Sequence, residues 1–368
     1  MRKRLFAVAL CAAFWVLSAQ KMCGIGTSAA SAILVDAASG QVLYQVQSQQ
    51  QRLIASTTKL MTALVALESG HDLDEEVVIP ADWKGVEGSS IYLKAGEHIT
   101  LEALLYGTLL CSGNDAATVV AQFCGGTVEN FVAEMNATAQ RLGMQNSSFA
   151  NPSGLDQEGH YSTAYDMTLL ARACLDNQTL AQILSTKTAR FGERIFTNHN
   201  KLLWRYEGCV GMKTGYTEKA GRTLVSAAQR DGMTLICVTL SDPNDWVDHA
   251  ALYDFGFSNY KSQIAVHAGE MVTSVPVENS LLSFCPVVAE EDVAVCLKVG
   301  ETITREVHLD CNEIQAPISA GTEVGEVSFW VNGIEVGATK LVTGVDIEDN
   351  LAPKRGLFQW LRGYLPES

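Results

Sequence analysis

Metal-binding spacing is the first thing this sequence lacks. Ten cysteines are spread over 368 residues, yet none forms a C-x-x-C pair or a cluster with histidine. That pattern disfavours zinc and implies no metal or other cofactor. Cys11 and Cys23 lie near the start, and Cys111, Cys124, Cys174, Cys209, Cys237, Cys285, Cys296 and Cys311 follow. Cys237, inside the apolar run Leu235–Leu240, reads as a small buried hydrophobe, and the spacing assigns no disulfide. Arginine-rich tracts and basic patches interleaved with aromatics are also missing. With a formal net charge of −15, the surface repels phosphate backbones, which argues against nucleic acid as a partner. Internal repeats and low-complexity stretches are absent as well.

Long apolar runs are scarce too. The 13 residues from Leu5 to Leu17 fall short of the ~20 needed to span a bilayer. They follow Arg2, Lys3 and Arg4 and precede small residues, which is the pattern of an export signal within residues 1–30, cleaved after Ala19 or after Ala30. Cys23 lacks the preceding leucine and small residues of a lipoprotein site.

What remains is 47% hydrophobic, ample for a sizeable core and, by length, for two domains. Residues 31–45, SAILVDAASGQVLYQ, read as a hairpin turning at Ala38–Gly40. A helix is expected from Ser56 to Leu67 and another from Thr100, with Leu101, Leu104, Leu105 and Leu109 on one face. Glu129 to Leu142 reads as helical, and Thr163 with Asp166 signals a capped helix running to about Leu175. Leu224–Ala228 and Thr234–Leu240 flank a turn at Arg230–Gly232. Residues 31–259 thus predict an α+β domain, an antiparallel sheet flanked by helices. From Tyr260 the character changes to short β-rich segments, with turns at Gly269, Gly300, Gly321 and Asn332–Gly333. They predict a small all-β domain over 260–345. Residues 346–368 read as a linker and an amphipathic helix. Leu357, Phe358, Trp360, Leu361, Tyr364 and Leu365 share one face, beside the basic Lys354, Arg355 and Arg362. That is the pattern of a helix lying on a membrane surface.

Three short motifs carry chemistry. In Ser56-Thr57-Thr58-Lys59 the serine and lysine lie one helical turn apart, so the amine can reach the hydroxyl and, if neutral, take its proton. In Ser112-Gly113-Asn114 a hydroxyl able to relay a proton sits near an amide able to hold a carbonyl. Lys213-Thr214-Gly215 combines a cation and a hydroxyl suited to a carboxylate with a glycine that permits close backbone approach. Each triplet alone is commonplace; the three in this order are not, being the set shared by penicillin-binding proteins and class A β-lactamases.

The chain resembles the low-molecular-mass serine D-alanyl-D-alanine carboxypeptidases, peptidase family S11. SGNDAA (Ser112–Ala117), NPSGL (Asn151–Leu155), HYSTAYDM (His160–Met167) and GMKTGYTEKAGRTLVSAA (Gly211–Ala228) look like that family's signatures. The resemblance covers about residues 31–257. It implies a β-lactamase/transpeptidase-like catalytic domain and removal of the terminal D-alanine from peptidoglycan stem pentapeptides, with β-lactams as covalent inhibitors. It implies Ser56 as nucleophile, Lys59 as general base and Ser112 as proton relay. Asn114, Lys213, Thr214 and Gly215 would bind substrate, and the N–H groups of Ser56 and Tyr216 would form the oxyanion hole. Two alternatives fare less well. A class A β-lactamase needs a deacylating glutamate, and no E-x-x-L-N follows the second motif. A non-catalytic penicillin sensor would need transmembrane helices. One departure stands out: a basic residue that holds the substrate carboxylate in some relatives aligns near Asp245, leaving Arg222 as the candidate replacement. His160, beside a loop near the motifs, reads as structural rather than catalytic.

Overall fold

The computed structural model describes residues 25–350, so residues 1–24 of the expected export segment and the amphipathic helix from Leu351 lie outside the described residues. Strands β1 (Ser31–Asp36) and β2 (Val42–Val46) form the first expected hairpin. Strands β3 (Cys209–Thr217), β4 (Gly221–Arg230) and β5 (Met233–Leu240) form an antiparallel meander. Between β4 and β5, Asp231 and Gly232 take φ of +48° and +81°, the paired left-handed conformation that lets a two-residue Asp-Gly turn match strand twist. β1 then pairs with β5, placing Ile33 opposite Val238 and giving one sheet ordered β2-β1-β5-β4-β3. β3 is therefore an edge strand.

Side chains alternate across a strand, so this sheet serves two cores. Ile33, Val35 and Val238 face a large cluster with Leu60, Leu64, Leu104, Phe131 and Leu170. Leu34, Leu224 and Leu235 face the other way, onto Leu252 and Tyr253. The first face carries helices α1 (Lys59–Glu68), α2 (Leu101–Leu110), α3 (Asn114–Gly125), α4 (Val128–Arg141), α5 (Ala164–Asp176) and α6 (Gln178–Ser185). After the single-turn α7 (Leu202–Arg205), α8 (Asp245–Asn259) covers the second face. α1 is buried from Lys59 to Ala66, as expected of a helix running through the core. Threonines cap three of these helices. Thr100 accepts from the Ala103 N–H at 3.2 Å, Thr127 from Asn130 at 3.1 Å and Thr163 from Asp166 at 3.0 Å, each worth ~1 kcal/mol.

Tyr260, which ends α8, also begins a strand, Tyr260–Val266. From there to Thr343 every described element is a strand, and six of them form one sheet. Val275, Cys285, Val287, Val327, Phe329 and Leu341 build a core of their own. Gly269, Gly300, Gly321, Asn332 and Gly333 all adopt positive φ at the turns where the sequence places them. The fold is α+β followed by an all-β unit. All eight described cysteines are free thiols.

Candidate active site

Ser56 sits on a 3-10 turn, Ala55–Thr58, rather than inside the α-helix expected there; α1 starts only at Lys59. Ala55, just before the serine, is left-handed at φ +46°. The hydroxyls of Thr57 and Thr58 donate back to the carbonyls of Ile54 (2.6 Å) and Ala55 (2.8 Å). Short side-chain bonds of this kind favour a tight turn over a continuous helix.

Lys59 has no exposed surface. Its Nζ lies 2.9 Å from Ser56 Oγ and donates to Asn114 Oδ1 at 2.7 Å and to the Ser153 carbonyl at 2.5 Å. Burial, reinforced by the Lys213 charge and partly opposed by Asp115, holds its pKa well below the ordinary lysine value. A neutral amine has two N–H donors and one lone pair. Two carbonyl oxygens take the donors, which leaves the lone pair for the Ser56 hydroxyl.

The second motif lies where α2 ends and α3 begins. Ser112 is left-handed at φ +61° and nearly buried. Asn114 is the first residue of α3, and its amide also donates to the Glu87 carbonyl at 2.7 Å. Asp115, whose carboxylate suits the positive end of the helix, accepts from the N–H groups of Ile91 (3.0 Å) and Leu93 (3.1 Å) and from Ser90 Oγ (2.6 Å). The loop from Glu87 to Leu93 is thereby fastened beside the motif.

The third motif lies inside β3. Lys213 is buried, donates to the Thr214 carbonyl at 2.9 Å, and is held down to about 7 mainly by desolvation. Met212 before it takes φ +87°, so a non-glycine residue in the left-handed region belongs to or adjoins each of the three motifs. Such conformations cost on the order of 1–3 kcal/mol each and gather at active sites. At Gly215 a Cβ would lie 2.3 Å from Thr223 Oγ1 and 3.0 Å from Ser56 N. Only glycine lets the edge strand pass this close to the serine.

A fourth segment, residues 151–162, had no assigned role in the sequence beyond its signatures. Ser153 supplies the carbonyl on Lys59, and Gly154, at φ +83°, is pressed against the Ala55 carbonyl. His160 Nδ1 accepts from the Ala150 N–H (3.0 Å), so Nε2 carries the proton and donates to Thr58 Oγ1 (2.8 Å). Burial lowers its pKa to about 4, leaving it neutral at pH 7. Its position is that of a brace for the serine turn. Asp156 Oδ1, accepting from Thr217 Oγ1 at 2.9 Å, ties the same segment to β3.

These parts meet at a cleft of about 300 Å³, lined by Ser56, Ser89, Ser112, His199, Lys201, Thr214, Gly215, Tyr216, Arg222, Asp245 and Trp246. Lys59, Asn114 and Lys213 lie buried behind this lining. Tyr216 is 65% exposed at the mouth. His199 and Lys201, unnoticed in the sequence, add basic groups; burial and the Lys213 charge lower the pKa of His199. Among the described residues no three His, Cys, Asp or Glu side chains cluster as metal ligands would.

A helix-flanked antiparallel sheet carrying a serine over a buried lysine defines the transpeptidase-like class of serine enzymes. Within that class, the chain belongs to the D-alanyl-D-alanine carboxypeptidase family, peptidase S11, which matches residues 18–244. Residues 260–349 match the C-terminal domain of penicillin-binding protein 5. The chain is 33% identical over 320 residues to D-alanyl-D-alanine carboxypeptidase DacF of Bacillus subtilis, covering 83% of this chain and 82% of that one. It is 30% identical to DacA of Haemophilus influenzae, covering 89% and 87%. Penicillin binding protein 5 of Haemophilus influenzae superposes with a TM-score of 0.81 at 28% identity, covering 88% of this chain and 99% of that one.

Proposed function

We propose that the protein is a serine D-alanyl-D-alanine carboxypeptidase acting on peptidoglycan stem pentapeptides by the following route. Ser56 Oγ attacks the carbonyl of the penultimate D-alanine while Lys59 takes the hydroxyl proton. The N–H groups of Ser56 and Tyr216 hold the oxyanion. Ser112 relays a proton to the departing amine, free D-alanine leaves, and water hydrolyses the ester on Ser56. Asn114 serves twice, orienting Lys59 and offering its amide to substrate. Lys213 keeps Lys59 neutral and, with Thr214, attracts the terminal carboxylate. A β-lactam enters the same route and leaves Ser56 acylated. The observation that carries this reading is the surroundings of Lys59: a fully buried amine with two carbonyl acceptors and Ser56 Oγ at 2.9 Å.

A fluorescent penicillin should label one peptide, that containing Ser56, and diacetyl-Lys-D-Ala-D-Ala should release D-alanine. An adduct elsewhere, or full labelling of Ser56→Ala, refutes the assignment. The rate should also depend on pH with a definite sign. Lys59 acts only when unprotonated, and its pKa is lowered, so acylation should extend to lower pH than an ordinary lysine would allow. It should then fall about tenfold per pH unit below the Lys59 pKa, because one proton blocks the base. Penicillin acylation measured from about pH 4 to 9 checks this, and a flat profile contradicts a lysine base.

For the whole chain the proposal is an exported enzyme: residues 1–30 as signal, 31–259 catalytic, 260–345 a β-rich stalk, and 346–368 a linker and membrane-surface helix. From Leu351 the tail is outside the described residues, and its reading rests on the apolar face and basic residues of its sequence. Full-length protein should pellet with anionic liposomes, whereas a version ending at Asn350 should not. Equal pelleting of both means the tail is not the anchor.

A further inference from the structure

The chain ahead of β1 is built into the fold, and this bears on where the export signal ends. The Ala30 N–H donates to the Ser241 carbonyl at 3.1 Å, which carries the pairing of β1 with β5 one residue further back. The Ala30 carbonyl accepts from Arg52 Nη2 at 3.2 Å. Ala29 is buried, and Ile25 packs on the core around Leu252 and Tyr253.

Ser28 makes the shortest contacts of this segment. Its N–H donates to Asp248 Oδ2 at 2.6 Å, and its hydroxyl lies 2.7 Å from Asp242 Oδ1 and 2.8 Å from Asp248 Oδ2. Both aspartates are buried. Two buried carboxylates meeting at one hydroxyl repel each other and need donors. Burial, with the Asp248 charge adding to it, raises the Asp242 pKa, and the Ser28 hydroxyl works against that rise. Asp242 also accepts from the Asn244 N–H at 3.1 Å, whereas Asp248 depends on Ser28. The two aspartates bracket Asp245, which accepts from Arg222 Nη2 at 2.7 Å and lines the cleft beside Trp246. Ser28 therefore pins the start of α8 behind one wall of the cleft.

The small residues of the sequence allow a cut after Ala19 or after Ala30. The two products differ physically. A chain starting at Ser31 loses every contact just described and leaves the Asp248 carboxylate without its donors, which is costly for a buried anion. It also places a new ammonium on Ser31, whose hydroxyl already accepts from Arg52 Nε at 2.7 Å, so two cations meet at one residue. A chain starting at Gln20 keeps the whole arrangement.

We propose that the signal is cut after Ala19 and not after Ala30, and that residues 25–30 remain in the mature enzyme as the pin for α8. A signal peptidase adds water across the Ala19–Gln20 bond, leaving the carboxyl on Ala19 and the amine on Gln20. Residues 20–30 then belong to the enzyme and not to its signal. This inference rests on the export reading given above.

The test expresses the full chain in a bacterium, recovers the exported protein in detergent and sequences its N-terminus. The first residue should be Gln20. After reduction and denaturation, nine thiols should titrate, because Cys23 joins the eight described ones. A first residue later than Ile25, with eight thiols, overturns the proposal. Protein that still carries the run from Leu5 to Leu17 refutes the cleaved-signal reading itself, a different result. The pin is tested by melting. A chain starting at Ser31 should melt several degrees below one starting at Gln20, and Ser28→Ala in the longer chain should recover part of that deficit. Ser28→Ala alone serves if the shorter chain does not fold. Melting of the Ser28→Ala chain equal to that of the unaltered Gln20 chain shows that Ser28 is no pin.

Discussion

Lys59→Arg should abolish acylation of Ser56 by penicillin and release of D-alanine together, with rates falling ~10²–10⁴-fold, the usual loss when a general base is removed. A guanidinium stays protonated at any working pH, so it cannot accept the serine proton. Shape compounds the defect. Lys59 is fully enclosed, and its amine is met by oxygens at 2.5, 2.7 and 2.9 Å. A larger, permanently charged head in that space must either push Ser153 and Asn114 apart or remain poorly solvated, which is costly in a buried site. Stopped-flow penicillin labelling measures the effect. Near-normal acylation in Lys59→Arg would mean that another group is the base.

Gly154→Ala should be almost as damaging, although Gly154 touches no substrate. Its φ of +83° already disfavours a side chain, and the added Cβ would stand 2.0 Å from the Ala55 carbonyl oxygen and 2.4 Å from its carbon. Those atoms belong to the turn that carries Ser56. Either the turn moves, or residues 151–155 retreat and carry the Ser153 carbonyl away from Lys59. Left-handed strain and overpacking each cost on the order of 1–3 kcal/mol, so a melting temperature lower by several degrees is expected. The acylation rate should drop by about 10²-fold or more, the scale set by misplacing a reacting group by an ångström. Gly159→Ala is the control: φ is +78°, but nothing lies within 4 Å of the added carbon, so acylation should survive. Equal labelling by the two variants would show that the 151–155 segment yields freely.

The catalytic residues were legible because their chemistry restricts both type and spacing. Ser56 and Lys59 had to be one turn apart, and the fold brings Lys59 onto Asn114, 55 residues away. Hairpins and caps were legible for a similar reason: Asp231-Gly232 and Thr163 satisfy local backbone needs that tertiary context rarely overrides. Backbone carbonyls gave no such signal. Ser153 acts on Lys59 through an oxygen that every residue possesses. The 3-10 turn under Ser56 was read as α-helix because spacing alone does not separate the two. Arg222 was visible as a lone cation, but its anchor was not. Asp245 lies 23 residues away on α8, and only the packing of that helix on the sheet brings them together. His160 was read as structural, and its bond to Thr58 says what the structure is for: it steadies the serine turn.

The eight free thiols have a bearing on where such a chain can fold. Cross-links commonly stabilise exported domains that cannot build enough core. Here two apolar cores flank one sheet and a third fills the β unit, so cohesion comes from burial. Several of the thiols are guarded. Thiolate is the form that reacts, and burial pushes Cys209 up to about 11 and Cys296 up to about 12, with Cys174 and Cys237 also raised. A protein secured this way neither waits for an oxidant to finish folding nor offers these thiols readily for wrong pairing. Its described residues can reach the same state on either side of a redox boundary.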